Sequence, residues 1–168
     1  MAHLSITVRI KKLGKAYERQ HNETRKLEQE VIAFFGRSQG VMKRLIDQND
    51  KLLTNLGKSK LPEDIFRDDA IRSDQIAKLT VSYQPKFKEL IECKPLLDAI
   101  FNFEQRLIKD LQMLEMLSGL EQQSKDVFMQ LEEEHQKLQP LLDTIQQRFK
   151  DCKKSLAEIE QFSQHTLN

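Results

Sequence analysis

The chain has 168 residues, of which 32% are charged and 39% hydrophobic, with 5 Gly, 4 Pro, no Trp and a formal net charge of +1. So few turn-forming residues exclude an all-β fold, and so thin an apolar fraction excludes a thick globular core; the composition is that of a helical bundle. The charge is uneven: residues 1–60 carry a net +7, and residues 61–118 and 119–168 carry −3 each, so a basic first helix is expected to pack against acidic later ones.

At the N-terminus Leu4, Ile6, Val8 and Ile10 alternate as in a strand, but a lone strand has nothing to pair with. The expectation is a helix start that is apolar on several faces. This segment lacks the uninterrupted apolar core of a secretory signal. No run approaches the ~20 apolar residues of a membrane span. An intracellular, cytoplasmic protein is expected; one delivered into a host cell would share these features.

Helix one is expected over about 5–56. Its apolar seam steps by alternating threes and fours through Ile10, Leu13, Tyr17, Leu27, Val31, Phe34, Val41, Leu45 and Leu52, with Gln20, Thr24, Ser38 and Gln48 as polar members. A seam this narrow needs a partner helix, from this chain or another. Ile10, Leu13, Tyr17, Leu27, Val31, Phe34, Val41 and Leu45 are therefore the candidate protein-binding residues, self-association included. The polar members either fix register and partner choice or mark where the helix faces water. Gly14, Gly36 and Gly40 each cost roughly 1 kcal/mol against Ala in a helix interior, and Gly36 with Gly40 is the expected place for a bend or a close helix crossing. Arg9, Lys11, Lys12, Lys15 and Arg19 precede or surround a single acid, Glu18. They are the candidate contact with an anionic surface, although Leu4 and Val8 would point among the lysines. Nucleic acid is disfavoured, because Glu23, Glu28 and Glu30 dilute the cations and no nucleic-acid motif is present.

Gly57 is placed to end helix one. A connector over 57–73 should hold a short helix near 62–68, begun by Pro62 with acids behind it, and Ser73 is a plausible N-cap for a second long helix over about 74–118. The stripe there is Ile76, Leu79, Tyr83, Leu90, Cys93, Leu97, Ile100, Leu107, Leu111 and Leu114. Pro85 and Pro95 interrupt it without shifting its phase, so kinks are expected rather than reversals. Ser118-Gly119 is the next boundary, either a tight hairpin or no break at all in one bent rod. Helix three is expected over about 120–162, with Leu120, Val127, Leu131, Leu138, Leu141, Ile145, Cys152, Leu156 and Ile159 on its seam and Pro140 inside. Phe87, Phe101, Phe103 and Phe128 lie beside the seams and widen them, which suits a three- or four-helix cross-section, or form a docking strip.

Two Glu-x-x-His units, Glu18/His21 and Glu132/His135, have the spacing that puts a carboxylate and an imidazole on one helical face. Their phase points off the seam, so solvated faces are expected rather than a metal. Cys93 and Cys152 follow no metal or redox spacing and fall on the apolar stripes as buried thiols. No glycine-rich phosphate loop, nucleophile elbow or Ser/His/Asp set is visible. The expectation is one elongated all-α domain over 1–168, a bundle or coiled coil of three long, proline-kinked helices. It is read as a non-enzymatic scaffold or adaptor, a subunit of a larger complex, with no catalytic residues, metal or cofactor. The alternative is a peripheral membrane-binding domain using the basic N-terminal region.

Overall fold

The computed structural model describes residues 6–57, 63–116 and 121–166, apart from the side chains of 64–66, 121–124, 165 and 166. These residues form three long α-helices that pack against one another: α1 (Ile6–Leu56), α2 (Glu63–Met116) and α3 (Glu121–Thr166). Each is built on the same physical basis. Apolar residues recur every three or four positions, straight-chain Glu, Lys, Gln and Arg fill the outer positions at little entropic cost, and packing of the apolar stripe supplies the stability that propensity alone does not.

α1 begins and ends where its pattern predicts. At its end the Gly57 N–H bonds the Leu53 carbonyl at 3.1 Å, without the left-handed φ that a C-terminal glycine often supplies. α2 differs from expectation. The short helix expected near 62–68 and the helix expected from about 74 are one helix starting at Glu63. Ser73 is therefore no N-cap; it lies mid-helix, and its Oγ donates to Asn49 Oδ1 at 2.8 Å. The Leu61-Pro62 start signal and the Ser118-Gly119 boundary lie outside the described residues.

Helix continues through Pro85, Pro95 and Pro140, and all three are exposed. Proline removes the hydrogen bond to the carbonyl four residues earlier. Those carbonyls belong to Val81, Ile91 and Gln136, which are exposed as well, so water can serve them.

The chain divides into two compact units, each taking a section of all three helices. The first comprises Met1–Glu30 and Glu92–Gln146. Within it His21 and Thr24 meet Glu104, while the later Glu28 meets the earlier Lys94, so α1 and α2 run antiparallel. Arg9 meets Glu132 and Tyr17 meets His135, so α1 and α3 run parallel. Its core is Ile10, Leu13, Tyr17 and Leu27 from α1, Leu97, Ile100, Leu107, Leu111 and Leu114 from α2, and Phe128, Leu131, Leu138, Leu142 and Ile145 from α3.

The second unit comprises Val31–Ile91 and Gln147–Asn168. Ser38 meets Tyr83 and Asn49 meets Ser73; Phe34 meets Phe149 and Gln48 meets Ser163. The same senses follow, antiparallel then parallel. In both units α3 thus opposes α2, so the chain reverses between them and the bent-rod alternative falls away. The core here is Val31, Phe34, Val41 and Leu45 against Ile76, Tyr83 and Leu90 and against Phe149, Cys152, Leu156 and Ile159.

The stripe of α3 corrects the sequence reading by one residue at two places. Leu142 is buried and Leu141 is 43% exposed; Phe128 is buried and Val127 is 41% exposed. The step Leu138, Leu142, Ile145, Phe149, Cys152 keeps the four–three alternation, and where two apolar residues are adjacent the register of the partner helices chooses between them.

Candidate functional site: buried polar clusters and the outer face of α1

The seam residues expected to bind another protein, Ile10, Leu13, Tyr17, Leu27, Val31, Phe34, Val41 and Leu45, are all buried within their own units. The chain itself satisfies the seam. Of its polar members, Gln20, Thr24 and Ser38 are buried and Gln48 is half-buried, so the polar positions mark contacts inside the bundle rather than water-facing stretches.

In the first unit these contacts converge on Glu104, a carboxylate with no exposure. Thr24 Oγ1, with a single hydrogen, lies within hydrogen-bond distance of both Glu104 Oε2 at 3.1 Å and the Gln20 carbonyl at 2.9 Å. His21 Nδ1 lies 3.3 Å from Glu104 Oε1, and the His21 ring stacks on Phe101 with centroids 4.1 Å apart. Burial pushes the Glu104 carboxyl up from the usual range, and the hydrogen bonds from Thr24 and His21 partly oppose this. The amide of Gln20 is buried, and neither its Nε2 nor its Oε1 has a protein partner, a cost of about 1–3 kcal/mol. Tyr17 donates to the Leu131 carbonyl and packs edge-on against His135. Burial raises the Tyr17 hydroxyl and lowers the His135 imidazole, which bonds the Ala16 backbone.

Sequence reasoning missed Glu104. Its signal was a gap: the stripe passes from Ile100 to Leu107, and the position between them on the same face is 104.

In the second unit the buried polar groups are Ser38, Ser155, Ser163 and one carboxylate, Asp69. Ser38 and Tyr83 share a hydrogen bond between their hydroxyls, and Tyr83 also bonds Cys152. Burial pushes both the Tyr83 hydroxyl and the Cys152 thiol up. Neither Cys93 nor Cys152 is in a disulfide, and both are buried. Phe87 stacks on Tyr83 and meets Phe35 edge-on.

The two Glu-x-x-His units are drawn apart. His21 faces Glu104, whereas Glu18 is exposed beside Lys11, Lys15 and Glu115. Glu132 pairs with Arg9 at 3.7 Å, while His135 turns to Tyr17. Among the described residues no three His, Cys, Asp or Glu side chains are grouped to hold a metal ion.

Of the basic candidates, Arg9 is engaged with Glu132 and with the face of the buried Phe128 ring, 4.8 Å from its centroid. Lys11, Lys12, Lys15 and Arg19 are exposed. Cross-helix pairs follow the expected charge asymmetry in Arg9–Glu132 and Arg37–Glu160 and reverse it in Lys94–Glu28. No helix among the described residues is long and apolar enough to cross a membrane.

Two surface features remain. In the first unit a groove of about 450 Å³ between α2 and α3 is lined by Phe103, Leu107, Met113, Leu114, Val127 and Leu131, with Asp110, Gln130 and Glu134 completing it. In the second, α1 carries Ile32, Ile46 and Leu53, each about half exposed at 49%, 53% and 51%, at multiples of seven along the helix and therefore on one side of it. Gly36 and Gly40 lie one turn apart between them, and a Cβ at either would meet nothing within 4 Å. Comparison of the chain with protein-family models, curated proteins and solved structures gives no match.

Proposed function

We propose that this chain is a non-enzymatic structural or adaptor protein, a subunit of a larger assembly that presents a helical face to another protein. The observation that carries the reading is the outer face of α1 in the second unit. Two glycines inside a helix are costly, and no internal contact requires either. Small residues on an outer face let another helix approach closely, and Ile32, Ile46 and Leu53 would be covered by it. Bends at Pro85, Pro95 and Pro140 belong to the same reading, since they would set the curvature of the faces on offer.

The test is cross-linking of the protein in its own cells, read by mass spectrometry. Cross-links from Lys43 or Lys51 of α1 to another polypeptide, lost in Gly36→Leu/Gly40→Leu while helicity is kept, are the expected result. Cross-links confined to other faces would overturn it.

A second reading, contact with an anionic membrane surface, is favoured by the exposure of Lys11, Lys12, Lys15 and Arg19 in the first unit. Sedimentation with phosphatidylserine vesicles at low salt, lost on reversing the charge of Lys11, Lys12 and Lys15, would support it; no sedimentation at low salt would end it.

A further inference from the structure

The hydrogens around Glu104 do not suffice for a carboxylate. A fully buried carboxylate needs several donors or a close fixed cation to offset the water it has lost. Among the described residues Glu104 has two hydrogen-bond partners. One of them, Thr24 Oγ1, carries a single hydrogen and also reaches the Gln20 carbonyl at 2.9 Å. Among the described residues the one ion-pair partner of Glu104 is His21, and its side chain is 16% exposed. Among the described residues no Arg or Lys pairs with Glu104 or is among the groups that move its carboxyl. On α1 Tyr17 feels the Glu104 charge, and on α3 Glu134 and His135 reach Tyr17.

We propose that Glu104 holds a proton in the folded protein, so that packing of α1 on α2 in the first unit is linked to proton uptake. A proton on Oε2 settles the competition at Thr24. The acid O–H donates to Thr24 Oγ1, the Thr24 hydrogen is left for the Gln20 carbonyl, and His21 Nδ1–H donates to Oε1. Each hydrogen shared among Glu104, Thr24 and His21 then has one acceptor, and no bare charge is buried. The direction in which burial moves the Glu104 carboxyl agrees with this.

The sign follows from linkage. A carboxyl whose folded value lies above its unfolded one, near 4.5, contributes stability that is complete below the unfolded value. That stability is lost as pH rises, until the folded carboxyl itself ionises. The cluster is thus a lock on the contact of α1 with α2 that loosens with rising pH.

The experiment compares urea unfolding of the full chain with that of Glu104→Gln from pH 5.5 to 8.5. It is joined by the carbon-13 carboxyl shift of Glu104 in the native protein over the same range. Gln keeps the shape and the two hydrogen bonds of the protonated acid but cannot ionise. The expected result is that the folding equilibrium of the native chain falls relative to the variant by up to about tenfold per pH unit, while the carboxyl shift stays at its protonated value at pH 6. Equal pH slopes in the two proteins, or an ionised carboxyl shift at pH 6, would overturn the proposal. Should Glu104→Gln fail to fold, the carboxyl shift of the native protein decides alone.

Discussion

The two units use sections of the same three helices and treat their polar seam positions differently. In the second, Ser38, Tyr83 and Cys152 form a neutral chain of hydrogen bonds in which each group can both give and accept. In the first, Thr24 and His21 converge on the carboxyl of Glu104, and beside them the Gln20 amide has no partner. A neutral network can be satisfied completely inside a bundle. A titratable one is satisfied only in a particular protonation state, and it couples packing to pH. The contrast teaches that a bundle's core need not respond uniformly to its surroundings, even along helices that run unbroken through both sections.

The largest effects should ignore the contrast. Leu97→Ala in the first unit and Leu90→Ala in the second each remove a fully buried leucine and should cost about 2–5 kcal/mol in urea unfolding. The two costs should be alike and independent of pH; a pH-dependent cost at Leu90 would mean that its packing is coupled to a titrating group of the second unit.

Polar truncations should divide the units by sign. Gln20→Leu removes an unpartnered buried amide and should stabilise, whereas Ser38→Ala takes a partner from Tyr83 and should destabilise, each by about 1–3 kcal/mol. If both destabilise, the Gln20 amide is satisfied in solution and the asymmetry is smaller than drawn.

Acid should act on the first unit through His135. Burial lowers its imidazole, so its contribution is present above the unfolded value near 6.5 and is lost as pH falls through the folded one. With Glu104→Gln as the background, which removes the opposing carboxyl, unfolding midpoints from pH 7 to 5 should decline, and adding His135→Gln should flatten the decline. In the second unit the raised Cys152 thiol should leave Cys152 unalkylated by iodoacetamide at pH 8 in the folded protein.

The glycines give a smaller contrast. Gly36→Ala and Gly40→Ala should each raise stability by up to about 1 kcal/mol, since nothing lies within 4 Å of the added Cβ. Gly14→Ala should gain less, because its Cβ would press on Leu111 Cδ2 at 3.4 Å. Calorimetric midpoints separate these. Smallest is Arg37→Ala. Its two-pronged pair with Glu160, at 2.7 and 2.9 Å, is exposed, so the loss should stay under about 1 kcal/mol and shrink with added salt.

Legibility varied along the chain for identifiable reasons. The seam of α1 could be read almost residue by residue because its alternation of threes and fours holds one phase from Ile10 to Leu45, so adjacent pairs such as Val31-Ile32 and Leu45-Ile46 are assigned by the seam on either side. At Leu141-Leu142 and Val127-Phe128 two phases fit equally, and the sequence reading chose the residue the fold exposes. The start of α2 was masked by Ser73, whose hydroxyl suits a cap but is used across to Asn49. Glu104 was legible as a break in a stripe, yet a break in a stripe does not say whether the residue there is buried or turned outward.

Sequence by itself determined that the chain is helical, how long α1 is, and which face of each helix is apolar, because these follow from a period of three to four residues and from capping chemistry that act within one segment. Tertiary structure alone decided that the seam of α1 is satisfied by this chain, that α3 reverses on α2, and that Thr24, His21 and Glu104 meet. Those outcomes depend on the register between helices, and register is set by groups 80 or more residues apart, which no local pattern encodes.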